Sequence, residues 1–92
     1  MNAQEFLILR QKLEKLIDGY HLKEVIPLIK SLDVELIPIN LRSDFARLAR
    51  RSHLYMEALK ILQSVVYGVK RPETKDLLEY ASCLRKIGMI QQ

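Results

Sequence analysis

Residues 39–73 read INLRSDFARLARRSHLYMEALKILQSVVYGVKRPE, and this stretch decides the fold. It divides into two apolar patterns of helical spacing around a short polar turn. The first holds Leu41, Phe45-Ala46-x-x-Ala49 and Leu48; the second holds Tyr55-x-x-Ala58-Leu59, Leu62, Val65, Val66 and Val69. Two helices of this length joined by Ser52-His53 form a hairpin. The opening of the pattern returns 35 residues on, as Tyr80-Ala81-x-x-Leu84 and Gly88. Ala46 and Ala81 are expected as equivalent small residues at a close helix approach, with Phe45 and Tyr80 filling the space beside them. Upstream, Val25 stands 33 residues before Ala58. A repeat of this period is one supersecondary unit that buries its apolar face by stacking on the next.

Five helices follow from the periodicity. The first is expected over Ala3–Asp18, with Phe6, Leu9, Leu13, Leu16 and Ile17 in its stripe, Leu7 and Ile8 off it, and Gly19 as a left-handed cap. The second is expected over His21–Leu32, interrupted or kinked at Pro27. Residues 33–38 connect it to the third, Ile39–Ser52. The fourth is expected over Leu54–Val69. The fifth is expected from Pro72 to Ile87, with Leu77, Tyr80, Ala81, Leu84 and Ile87 toward its neighbour and Cys83 beside that face. The chain is thus expected to be one all-α domain over residues 1–92, an array of antiparallel helical hairpins whose third repeat is incomplete.

Composition narrows the function. Hydrophobic residues make up 49% and charged residues 28% of the 92 residues, the balance of a globular protein. The opening residues carry no secretory pattern, no stretch approaches the length of a membrane span, and one cysteine forms no internal disulfide. These features lead us to expect a cytoplasmic protein. Net charge is +4, with residues 1–46 at −1 and residues 47–92 at +5.

The sequence offers no catalytic constellation. His21 and His53 fall at turns without companion ligands, Cys83 shares its helix with no histidine, and the Asp76/Glu79 and Glu14/Asp18 pairs read as surface ion pairs. No enzyme, cofactor, metal or small-molecule substrate is expected. The basic residues Arg42, Arg47, Arg50 and Arg51 on the third helix, with Arg85 and Lys86 on the fifth, have three readings: solvated stems over apolar surface, a clamp for an acidic peptide, or a nucleic-acid contact. The last carries least weight, because Phe45 and Tyr80 are committed to packing rather than free to stack on bases. A generic interaction scaffold and a small nucleic-acid-binding regulator remain alternatives.

The repeat resembles the tetratricopeptide kind. From Tyr20 to Gly88 the chain resembles the cytoplasmic needle-subunit chaperones of bacterial type III secretion systems. The resemblance is carried by Ala58-Leu59, Ser64-Val65-Val66-Tyr67, the Pro72 turn and Cys83-Leu84-Arg85-Lys86-Ile87-Gly88. It implies an export chaperone that holds the amphipathic helix of a needle-forming subunit in a concave groove, beside a small helical co-chaperone, and so blocks premature polymerisation. The leading helices, first, third and fifth, line such a groove. This places Leu7, Arg10, Ile17, Arg47, Arg50, Leu78, Arg85 and Ile87 against the client, and Phe6, Ile8 and Leu9 against the co-chaperone. Leu78, Ile87, Met89, Ile90, Leu7 and Ile8 are the apolar residues expected to lack cover within the chain.

Overall fold

The computed structural model describes residues 1–68 and 71–91, with side chains from Met1 to Gly68 and from Arg71 to Gly88. Val69 and the side chains of Met89 and Ile90, expected above to be apolar contacts, lie outside the described residues. The chain forms five α-helices: α1 (Ala3–Asp18), α2 (Leu22–Lys30), α3 (Ile39–Arg51), α4 (Tyr55–Val66) and α5 (Thr74–Gln91). There is no strand among the described residues. The connector before α3 is a 3-10 turn, Val34–Leu36, begun by Asp33 accepting from the Glu35 amide at 3.1 Å. Arg42 closes it from α3, donating through Nε to the Ile37 carbonyl at 2.9 Å.

Local chemistry sets the helix ends. Asn2 caps α1: its side chain accepts from the Glu5 amide at 2.9 Å, and Glu5 returns a bond to the Asn2 amide at 3.3 Å. α1 does not end on a left-handed glycine. Gly19 has φ −90° and ψ 7°, and the left-handed residue is Tyr20, at φ 61°. The Tyr20 amide bonds the Ile17 carbonyl and the His21 amide bonds the Leu16 carbonyl, which is a Schellman turn. A Cβ at Gly19 would sit 2.9 Å from the ring of His21, an exposed side chain with room to turn aside.

α3 ends the same way. His53, at φ 62°, takes the left-handed place; its amide bonds Arg50, and the Leu54 amide bonds Ala49. Tyr20 and His53 are 33 residues apart, so the repeat is visible in the turns as well as in the stripes. A left-handed side-chain-bearing residue costs roughly 1–2 kcal/mol. Tyr20→Gly removes that strain at a site 89% exposed. We expect it to raise stability by about 0.5–1 kcal/mol after the added entropy of the unfolded glycine, read as a higher urea midpoint at unchanged slope.

α2 runs unbroken through Pro27, which lies on its exposed side. The helix is shorter than the periodicity predicts at both ends. α4 stops at Val66, three residues early, because Tyr67 and Gly68 turn the chain toward α5. α5 starts two residues later than expected and continues four beyond Ile87 to Gln91, still helical.

The core is continuous through the hairpins. Leu13, Val25, Phe45, Ala46, Ala49, Ala58 and Cys83 are fully buried. Phe6 meets Phe45 edge to face at 6.0 Å between ring centroids. Ile61, outside the expected stripe of α4, is 2% exposed, because α4 lies between α3 and α5 and so needs a wider apolar face.

Candidate functional site

The leading helices are joined by polar ties. Between α1 and α3, Arg10 bonds Asp44 at 2.8 Å and Arg51 bonds Asp18 at 2.7 Å. Between α3 and α5, the Ser43 hydroxyl donates to Asp76 at 2.7 Å, and Arg50 Nε stands 2.6 Å from Glu79 Oε2. That last N–H is not aligned with the carboxylate oxygen, so the contact is ionic without a well-directed hydrogen bond. Asp76 and Glu79 are therefore not the surface pair expected from their spacing. Asp76 is buried at 5% exposure under Ser43, and Glu79 answers Arg50 across the joint.

A cleft of about 420 Å³ opens between α3 and α5, lined chiefly by Ser43, Arg47, Arg50, Lys75, Leu78 and Glu79. It brings together three of the expected client-groove residues, Arg47, Arg50 and Leu78. The others are elsewhere. Arg10 is held by Asp44, Ile17 is buried, and Leu7 packs partly against the core. Ile87 borders a separate depression with Lys30, Leu54, Tyr55 and Met56 beside the α3–α4 turn. Arg85 is exposed on α5. Of the expected co-chaperone residues, Phe6 is taken up by the core, Leu9 is half-buried and Ile8 is 57% exposed. The wall shared by α1, α3 and α5 is thus salt-bridged and mixed in polarity, and among the described residues lining its cleft Leu78 alone is apolar.

The larger apolar surface lies on α5 itself. A shift of 35 residues carries Leu41, Phe45 and Leu48 of α3 and its cap residue Ser52 onto Asp76, Tyr80, Cys83 and Ile87, and all four of these are buried or half-buried. The same shift carries Arg42, Ala46 and Ala49 onto Leu77, Ala81 and Leu84. Ala46 and Ala49 are fully buried, whereas Leu77 is 44% exposed, Leu84 is 46% exposed and Ala81 is exposed. Leu77, Ala81 and Leu84 therefore do not face a neighbour among the described residues, contrary to expectation, and Ala81 does not stand at a crossing of described helices.

The reason lies in what each helix has on either side. α1 buries one face, against α2 and α3. The matched Schellman turns place Leu9, Leu13 and Leu16 of that face at Arg42, Ala46 and Ala49 of α3. This is the face a leading helix turns toward the helices that follow it. α3 has α4 and α5 to meet it, and no described element meets it on α5. Leu78, 66% exposed, widens the same surface.

Cys83 sits on the opposite, packed face of α5. Burial, and next the Glu79 carboxylate, push its thiol above the ordinary 9.0, while Arg50 pulls the other way. The neutral thiol is the form the fold favours, so this contribution to stability is full below pH 9.0 and is lost as pH rises through the raised value. We expect Cys83 to resist a disulfide-exchange reagent at pH 8 in the folded protein and to react fully in 6 M guanidinium, with reaction counted by released thiolate.

Among the described residues no group of three or more His, Cys, Asp or Glu is placed to hold a metal. No described helix is long and apolar enough to cross a membrane. No protein-family model matches the chain, and neither does any curated protein or solved structure.

Proposed function

We propose that the protein is a non-enzymatic chaperone that captures an amphipathic helix, and that its client is the needle-forming subunit of a type III secretion system, held in the cytoplasm with the help of a small helical co-chaperone. One observation supports the helix-binding reading above the others. Leu77, Leu78 and Leu84 stand exposed on one face of α5, whereas their counterparts on α3 are more covered: Ala49 is fully buried, and Arg42 and Ser43 are half-buried. Burying a leucine contributes roughly 1.5–3 kcal/mol, so three such residues are a strong incentive to acquire cover. The resemblance in the sequence supplies the client class. A self-assembling subunit polymerises through an apolar helix, and a protein that buries that helix removes it from assembly. Holding it against micromolar self-association takes about 8 kcal/mol of binding free energy.

The experiment is co-expression with the candidate needle subunit. We expect the pair to co-purify, and Leu77→Asp with Leu84→Asp to abolish this while the circular dichroism of the chain is unchanged. Undiminished co-purification by the double variant, or none by the parent chain, overturns the reading.

A further inference from the structure

Tyr20 and His53 hold the left-handed places in two equivalent turns, and each puts a ring where glycine would be free of strain. Packing does not account for either. Tyr20 is 89% exposed, and His53 is exposed as well. Strain of this sort gathers at working sites.

Both rings border one hollow, of about 470 Å³. Tyr55 stands in it too, held by His53, whose Nδ1 lies 2.9 Å from the Tyr55 hydroxyl with the rings edge to face. The same His53–Tyr55 pair borders the smaller depression that Lys30 and Ile87 line, so the two hollows form one track past the pair.

The field along this track is positive. Asp18 and Arg51, the last residues of α1 and α3, meet Leu22 and Tyr55, the first residues of α2 and α4, in the larger hollow. Helix ends of opposite sign thus largely cancel, and the side chains decide. Among the described residues, Arg50, Arg51 and Lys86 line this hollow against one carboxylate, Asp18, and Lys30 lines the smaller against Glu57. Arg50 is tied to Glu79. Arg51 bonds Asp18 through Nη2 alone, in a pair open to solvent, and such pairs hold weakly. Lys30 and Lys86 are exposed and enter none of the ion pairs among the described residues.

Rings with open faces stack on any base, and cations beside them take the phosphates. An open hollow covers too little of a small molecule to hold it firmly. A strand runs on along the track and adds the pull of the basic half, residues 47–92 at +5. An acidic peptide would satisfy the cations and leave the rings unused.

We propose that this end of the molecule binds single-stranded nucleic acid, with bases stacked on Tyr20 and on the His53–Tyr55 pair and phosphates held by Lys86, Arg51 and Lys30. Phe45 is packed away as expected; the rings open to a base are those the turns supply. This surface uses none of the α5 leucines, so it stands or falls apart from the helix-binding reading.

The test is fluorescence anisotropy of a labelled oligothymidylate of about 15 nucleotides, titrated with the full chain at about 50 mM salt. We expect saturable binding. Tyr20→Gly should weaken it about tenfold even as the urea midpoint rises, and Tyr20→Phe should retain it. Lys86→Gln should weaken it and lower the slope of log affinity against log salt by about 0.7. The chain has no tryptophan, so fractional quenching of its tyrosine emission reports stacking, and this should shrink in Tyr20→Gly. The inference is overturned if the strand does not bind below about 1 mM, or if Tyr20→Gly binds as tightly as the parent. It is overturned too if polyglutamate of equal charge displaces the strand mole for mole, which is binding by charge alone. Thymidine monophosphate binding as tightly as the strand also overturns it.

Discussion

Phe45→Ala is expected to lower stability by about 3–5 kcal/mol, the cost of deleting a fully buried aromatic side chain from a close-packed core. Phe45 is 0% exposed and meets Phe6 edge to face, so the substitution empties the middle of the joint between α1 and α3. Domains of this size hold only about 5–15 kcal/mol in total. The loss should therefore appear as a large fall in the urea midpoint, with much of the chain unfolded at 37 °C. A cost under 1 kcal/mol would mean that the α1–α3 joint is not where this structure places it.

Equivalent residues should give opposite results. Ala46→Leu puts three extra carbons into a fully buried site on α3 and should cost about 1–3 kcal/mol through overpacking. Ala81→Leu makes the same chemical change 35 residues later, on the exposed face of α5, and should stay within about 0.5 kcal/mol of the parent. Chemical denaturation of the two variants side by side is the measurement. A similar cost at both positions would show that α5 is covered on its outward face in the isolated chain, contrary to the exposure of Leu77 and Leu84.

Much of the fold was legible because its cues are local. The 3.6-residue stripes of α1, α3 and α4 and the polar turns all act within one or two helical turns of chain. The bounds of α1 match the structure residue for residue, and those of α3 differ by one. The face of α5 was legible only in part: Tyr80 and Ile87 turn inward as expected, with Cys83 between them, whereas Leu77, Ala81 and Leu84 do not. Its apolar residues Leu77, Ala81 and Leu84 make a good stripe, and a stripe normally points inward. Here the inward face is built from Asp76, Tyr80, Cys83 and Ile87, two of them polar-tipped or acidic, because Ser43 and Arg50 on α3 wait to receive Asp76 and Glu79. A pairing between side chains 33 residues apart leaves no local trace. The same blindness hid the arginines: Arg10 and Arg50 read as groove residues and Arg51 as one of a basic cluster, and all three are ties between neighbouring helices.

The Gly19 expectation failed for a related reason. Glycine is the usual left-handed residue at a helix end, but here Gly19 is the cap residue in a right-handed conformation and Tyr20, one residue later, takes the left-handed place.

Helix α3 is held on two faces and α5 on one, which makes the molecule asymmetric in its resilience. Anything seated on the outer surface of α5 promotes that helix from periphery to interior, and mass action then protects every hairpin behind it against heat. Occupancy at one end thus becomes a property of the whole chain, and a melting curve would register a client that touches only a few side chains.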